Sequence, residues 1–323
     1  MGRSRRIAKS LGYLVYCAFA VFVCFAAIEV AVRVFFTDVN VQGIEKALFR
    51  DAAFGTTLGL SPNITSSAFG IPVRTDDYGF LELPGAPTTY RESWLMLGDS
   101  VTFGVGVPAG SSFLGLLQKS LPDIKILNTS VPGYSAVDYA NVLPSVLESH
   151  EIDRVILFWC LNDVDLTVSP EASLGTKVRD FLKTRSKAYM WLKARVGNRS
   201  DAHFRAVLAT YQNEEFEAKT RSALAGMRDL LRNRGKELTV FILPYEYQLR
   251  ADSDTALAPQ ARIERTFSEL GIDHYDLFPD LAESNEESEL YLTADGIHFS
   301  ERGHERVFEI LQRSLSVEPS LAR

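Results

Sequence analysis

The sequence predicts an α/β fold, a parallel sheet covered by helices on both faces, behind a single apolar N-terminal helix. Three observations carry this prediction. Residues 94–97, 124–128, 154–160 and 238–243 are short apolar runs separated by stretches of helical period, with no internal repeat, and strands alternating with helices build a parallel sheet. The runs at 94–97 and 154–160 are nearly continuous in apolar character, as strands buried on both faces are. Ahead of them residues 11–28 carry no charge, and about 18 such residues suffice for a membrane-crossing helix.

The elements follow in order. Arg3, Arg5, Arg6 and Lys9 precede the uncharged run, and Glu29 and Arg33 follow it at a spacing that lets them pair on one helix face. A cleaved signal peptide is the competing reading, but its apolar core is typically shorter and ends in a small-residue site. Here the Ala-x-Ala at 18–20 lies inside the run. The reading is therefore a cytoplasmic basic tail, 1–10, and an uncleaved transmembrane anchor, 11–36, with the rest of the chain outside the cytoplasm by the positive-inside rule. Residues 37–93 hold Pro62, Pro72, Pro84 and Pro87 among many Gly, Ser and Thr. They read as a stalk and N-terminal extension leading into short strands and turns, with no evident chemistry.

The main domain is expected over 94–318. Its first run stops at Gly98-Asp99-Ser100; Gly104 and Gly106 permit a tight path, and Ser111 or Ser112 caps a helix carrying Phe113, Leu114, Leu116 and Leu117. That order puts Ser100 at the carboxyl end of a strand, where open α/β sheets bind ligands. A second strand, 124–128, leads through the loop 131–135 into a helix over 136–148, and a third, 154–160, ends at Leu161-Asn162-Asp163. An insertion over 165–213 then interrupts the alternation. It is rich in Lys and Arg, and Val178, Phe181, Leu182, Tyr189, Leu192 and Val196 fall mostly on one face of a basic amphipathic helix. Packing on the domain is the plain reading of that helix, a lid or membrane-surface helix the other. A helix over 214–233, a fourth strand, a helix over 258–270 and a short fifth strand near 274–278 complete the alternation. The chain closes with the loop 293–299 and a helix capped at Ser300 or Glu301.

Composition removes several classes of function. With 34 Lys and Arg against 41 Asp and Glu the net charge is -7, which is not the basic footprint of a nucleic-acid binder. Cys17, Cys24 and Cys160 form neither a disulfide framework nor a Cys-x-x-Cys site, and the five histidines are dispersed without zinc-like spacing. The glycines around Phe103 lack the Lys-Ser/Thr of a phosphate cradle. No metal and no nucleotide cofactor is implied.

What remains is acyl chemistry. A serine hydroxyl is a poor nucleophile until a base takes its proton, and the base needs a third group to fix its tautomer and balance its charge. Asp295 and His298, three residues apart before the last helix, can supply that pair, so Ser100, His298 and Asp295 are candidate nucleophile, base and orienting acid. The oxyanion of acyl transfer needs donors. Gly133, with an unobstructed backbone N–H, and the amide of Asn162 stand at strand ends beside Ser100. Singly, each residue has a plainer role as cap, turn former or surface group; their joint placement carries the catalytic reading.

On these residues, in this order, the chain resembles the SGNH (GDSL) hydrolase family. The matching blocks are Ser100 in Gly98-Asp99-Ser100-Val101-Thr102-Phe103-Gly104, Gly133 in Asn128-Thr129-Ser130-Val131-Pro132-Gly133, Asn162 in Asn162-Asp163, and Asp295 with His298 in Asp295-Gly296-Ile297-His298. Cys160-Leu161 departs from the glycine often found before the asparagine. The resemblance spans residues 94–315. It implies a flavodoxin-like three-layer sandwich and ester hydrolysis through an acyl-serine, with an oxyanion hole from Ser100, Gly133 and Asn162. Membrane-anchored bacterial relatives are often linked to acetyl esters on cell-envelope or exported polysaccharides. The resemblance thus implies an acylated glycan substrate, and the positive-inside reading places the domain in the periplasm on the inner membrane. The insertion has no counterpart in the minimal family fold, and its Tyr189, Trp191 and Tyr211, which can stack on sugar rings, make it a candidate sugar-binding wall. An O-acyltransferase, a lipid esterase and a catalytically silent glycan-binding or envelope-assembly protein are the alternatives.

Overall fold

The computed structural model describes residues 2–36, 39–55, 57–164, 174–196, 199–251, 254–283, 289–293 and 295–315. Helix α1 (Gly2–Phe35) holds the apolar run, and its 24 residues from Gly12 to Phe35 are long and apolar enough to cross a membrane. Two antiparallel hairpins follow, β1 (Phe49–Ala53) with β2 (Thr57–Leu60) and β3 (Thr65–Ala68) with β4 (Ile71–Arg74). The central sheet has five parallel strands, β5 (Glu92–Leu97), β6 (Ile124–Asn128), β7 (Arg154–Cys160), β8 (Leu238–Leu243) and β9 (Asp273–Asp276), in the order β6-β5-β7-β8-β9.

This order has one reversal. The chain leaves β5 to lay β6 on one side, then crosses back to lay β7 on the other. Because such crossovers are right-handed, the intervening helices fall on opposite faces. Helix α2 (Ser100–Phe103) and α3 (Phe113–Ser120) follow β5, and α4 (Ala136–Ser149) follows β6. The insertion contains α5 (Leu174–Arg185), α6 (Lys187–Val196) and α7 (Arg199–Tyr211), and α8 (Glu214–Arg232) returns the chain to the sheet. After β8 come α9 (Glu246–Arg250) and α10 (Ala258–Leu270), and after β9 α11 (Phe278–Ala282) and α12 (Glu301–Ser314). Helices α3 and α12 pack together, as do α4, α8 and α10. The core between these layers is dense in Trp94, Phe158, Trp159, Val240 and Phe241, all buried. The three-layer α/β fold is thus present, and the reversal point between the carboxyl ends of β5 and β7 is where such sheets bind ligands.

Two regions differ from expectation. Where it is described, the 37–93 segment holds the expected short strands and turns but is packed on the domain rather than standing off as a stalk: Leu48, Leu60, Ala68, Phe69, Val73, Phe80 and Leu81 bury in the same core as the sheet, and Leu81 N donates to Asn128 O at 3.0 Å. Its apolar residues enter the core singly or in pairs between turns, so no period announces them. The part of the insertion expected as one amphipathic helix is two, α5 and α6, broken at Ser186, and Val178, Phe181, Leu192 and Val196 are exposed. The break resets the helical phase, and the packed residues become Ala188 and Met190, which bury with Val32 and Val39 beside α1. Residues 165–173 and 197–198 of the insertion, and Ala294 in the 293–299 loop, lie outside the described residues.

Candidate active site

Strand β5 is buried from Ser93 to Leu97 and stops at Gly98, where a Cβ would lie 2.1 Å from Thr102 Oγ1. Only glycine lets α2 fold back this closely over the strand end. Asp99 Oδ1 caps that turn by accepting from Val101 N at 2.8 Å. The N–H of Ser100, first residue of α2, has no intrahelical acceptor, like every N–H in a first helical turn.

His298 meets Ser100 from across the chain. Its Nε2 lies 2.8 Å from Ser100 Oγ, and its Nδ1 lies 2.9 Å from Asp295 Oδ1. The same Asp295 oxygen accepts from the backbone N–H groups of Ile297 at 3.1 Å and His298 at 3.0 Å, which fixes the carboxylate within its own loop. Asp295 is buried, and its Oδ2 accepts from the side-chain amide of Gln42. Phe69 sets its ring edge-on against the imidazole, with centroids 5.4 Å apart. With Nδ1 facing the carboxylate, the proton belongs on Nδ1, and Nε2 is left to accept from Ser100.

Asn162, in the turn after β7, is held from both ends of its amide. It donates from Nδ2 to Asp99 Oδ2 at 2.8 Å and accepts at Oδ1 from Tyr245 Oη at 2.9 Å. Ser100 Oγ reaches the same Asp99 oxygen at 3.3 Å, so Ser100 and Asn162 are adjacent. Gly133 lies in a loop tied to the turn at Gly98 by Val131 N to Gly98 O at 3.2 Å. Its φ is +93°, a conformation L side chains avoid, and the space where a Cβ would stand is open. The five residues singled out in the sequence therefore gather at the reversal point of the sheet. Gln42, Phe69 and Tyr245 join them unforeseen. Tyr245 carries a signal, following the end of β8 by two residues; Gln42 and Phe69 are single residues in irregular chain.

The electrostatics suit a base. Burial works against protonation of His298, but the Asp295 carboxylate beside it, with help from Asp99, outweighs this and the opposing Lys183, so its pKa stands above the ordinary 6.5. His304, in α12, is the reverse case. Buried and repelled by His298, it is pushed down to about 3, and its Nδ1 accepts from Phe113 N at 3.2 Å. Burial raises the Tyr245 phenol well above 10, which keeps it a donor to Asn162.

The expected sugar-binding wall does not form. Tyr211 is buried and accepts from Trp159 Nε1 at 3.0 Å, while Trp191 lies against Phe36 at 5.6 Å and beneath Arg195 at 3.7 Å. Tyr189 packs on the same cluster beside α1. Tyr189 and Trp191 are thus taken up by packing beside α1, and Tyr211 by the main core. Among the described residues no group of His, Cys, Asp and Glu is arranged to hold a metal.

The profile of the GDSL-like lipase/acylhydrolase family matches residues 96–306. Similar solved structures include the lipase/acylhydrolase from Enterococcus faecalis, at 16% identity, covering 72% of this chain and 100% of that one with a TM-score of 0.45. The acetylxylan esterase Axe2 from Geobacillus stearothermophilus is 16% identical, with coverages of 73% and 99% and a TM-score of 0.45. The psychrotrophic esterase EstA from Pseudoalteromonas is 13% identical, with coverages of 70% and 100% and a TM-score of 0.40. No curated protein matches the sequence.

Proposed function

Because this chain belongs to the GDSL-like lipase/acylhydrolase family, we propose that it is a membrane-anchored serine esterase that removes acyl groups, acetyl foremost, from a cell-envelope or exported polysaccharide. Ser100 is the nucleophile, His298 the base and Asp295 its orienting acid. The observation that carries this reading is the Ser100–His298–Asp295 chain, with contacts of 2.8 and 2.9 Å. Ser100 Oγ attacks the ester carbonyl as Nε2 takes its proton, and the N–H groups of Ser100 and Gly133 with the Asn162 amide receive the oxyanion. The imidazolium then protonates the departing alcohol. Water, deprotonated in turn by His298, releases the acid and frees the serine.

The basic residues Arg3, Arg5, Arg6 and Lys9 at the start of α1 and the apolar 24-residue segment Gly12–Phe35 support a single-pass protein of the inner membrane with its catalytic domain in the periplasm. A second reading, an esterase acting on lipids, is favoured by the position of Gln42. It bonds to Asp295 yet stands seven residues beyond Phe35, and a chain spans at most about 3.5 Å per residue. The site therefore stays close to the bilayer.

The full chain in lipid nanodiscs is the material for the test. It should be labelled by a fluorophosphonate at Ser100 and release acetate from acetylated polysaccharide, with both lost in Ser100→Ala. Fatty-acid release from lysophospholipid exceeding acetate release would replace the glycan by a lipid. Acetyl appearing mainly on added oligosaccharide would make the protein a transferase.

A further inference from the structure

A run of hydrogen bonds leads from the anchor into the active site. The break between α5 and α6 is clamped by two side chains of α1. Glu29 accepts from Ser186 Oγ at 2.8 Å and from the N–H groups of Lys187 at 3.1 Å and Ala188 at 2.9 Å, while Arg33 donates to Glu29 at 2.7 Å and to Arg185 O at 3.0 Å. An acid at the start of one helix and a base at the end of the other satisfy the free N–H and C=O groups there and suit both helix dipoles. In the last turn of α5, the carbonyl of Lys183 accepts from Gln42 N at 2.9 Å. A Cβ at Gly43 would lie 3.3 Å from Thr184, so the chain leaving the anchor runs directly over the end of α5. Held in this way, Gln42 is 8% exposed and gives its amide to Asp295.

We propose that Gln42 is a positioning residue of the active site, and that the Glu29–Arg33 clamp on the α5–α6 break sets its place, so that proton transfer at Ser100 depends on how the anchor is docked. The inference rests on the esterase reading above. Asp295 Oδ1 already serves His298 and two backbone N–H groups, and Oδ2 turns to Gln42. A neutral donor there fixes the carboxylate without supplying a positive charge that would cancel its field at His298. Losing that donor leaves the negative charge on Oδ2 less compensated, while Oδ1 keeps its bonds to His298 and the two N–H groups.

The test uses the full chain in nanodiscs, reading the hydrolysis of p-nitrophenyl acetate and the rate of fluorophosphonate labelling. In Gln42→Leu, kcat/KM should fall about ten- to a hundredfold, chiefly in kcat, as expected for one hydrogen bond to a charged group. The charged groups facing His298 are Asp295, Asp99 and Lys183, with His304 a neutral titratable neighbour, and none of them is altered. With less compensation of Asp295, the acid limb of the kcat/KM profile should move to higher pH, and in the isosteric Gln42→Glu it should move further. Glu29→Ala should slow the wild-type chain several-fold yet add little in the Gln42→Leu background, because contributions along one path are non-additive.

A lowered Tm with the acid limb unmoved in both Gln42 variants would reduce Gln42 to a structural role and overturn the proposal. Full additivity of the Glu29 and Gln42 substitutions would remove the clamp from it. A wild-type chain that reacts with neither probe would overturn the esterase reading itself, and the proposal with it.

Discussion

Two parts of the chain meet at His298 and hold their residues differently. Ser100, Asn162 and Tyr245 follow the ends of β5, β7 and β8, strands buried along nearly their whole length, so their places are inherited from the sheet. Gln42 and Phe69 come from outside the central sheet. Their backbones are tied to neighbouring irregular chain and to the end of α5, Gln42 N to Lys183 O at 2.9 Å and Phe69 N to Gly43 O at 2.6 Å. Phe69 also sits at φ +52°, an unfavourable conformation for a bulky residue that costs on the order of 1–3 kcal/mol. The surrounding structure must over-determine it. The sheet side presents the candidate reacting and oxyanion-binding groups, and the extension side touches only the base and its acid. This difference suggests that the sheet fixes which atoms react, while the extension adjusts how readily His298 gives and takes a proton.

The largest effects should break the sheet side. Ser100→Ala and His298→Ala should each lower kcat by about 10⁴- to 10⁶-fold, since members of such a unit are not additive, as measured by ester turnover and fluorophosphonate labelling. Asp295→Asn should leave more activity, because it disturbs orientation and charge without removing the base. Labelling that persists in Ser100→Ala would place the nucleophile elsewhere. Asn162→Ala should cost about 10²- to 10³-fold in kcat, the loss typical of one oxyanion donor, with KM little changed. A change confined to KM would remove Asn162 from the oxyanion hole.

A pH profile separates the two sides further. His298 acts as a base only when neutral, and Asp295 and Asp99 hold its pKa above 6.5. The acid limb of kcat/KM, which reports the free enzyme, should therefore have its midpoint above 6.5, with activity rising through it as pH increases. His304 should not contribute, since at about 3 it stays neutral throughout this range. A midpoint below 6.5 would mean that burial outweighs the two carboxylates.

Much of the sheet side is legible in the sequence, and little of the extension is. Strands β5 and β7 announce themselves because burial on both faces leaves unbroken apolar runs, and each ends in a turn whose residues, Gly98-Asp99-Ser100 and Asn162-Asp163, have recognisable chemistry. Asp295 and His298 are legible through their spacing. Gln42 has no such mark. Its role arises from a tertiary contact spanning 253 residues, and nothing in a local window distinguishes it from any other polar residue between turns. The insertion misleads for a related reason. Its apolar period is real, but Glu29, about 160 residues earlier, caps a new helix at Ser186 and turns Val178, Phe181, Leu192 and Val196 outward.

The smallest effect is the one that sharpens the comparison most. Tyr245 and Gln42 each give one hydrogen bond to a site residue, Tyr245 from the sheet side to Asn162 at 2.9 Å and Gln42 from the extension to Asp295. In Tyr245→Phe the ring stays in its buried place, and Asn162 keeps its bond to Asp99 at 2.8 Å. One neutral bond is lost, worth about 1 kcal/mol, or roughly fivefold in kcat. If Asn162 acts as the proposed oxyanion donor, it serves charge on the substrate and does not face the imidazole through Asp295, so the slowed enzyme should keep its acid limb where the wild type has it. Gln42→Leu, at a larger loss in rate, should move that limb. Measuring both profiles on the same preparations decides the matter. If the limb moves equally in both, the sheet and the extension do not divide the work between reacting atoms and proton affinity.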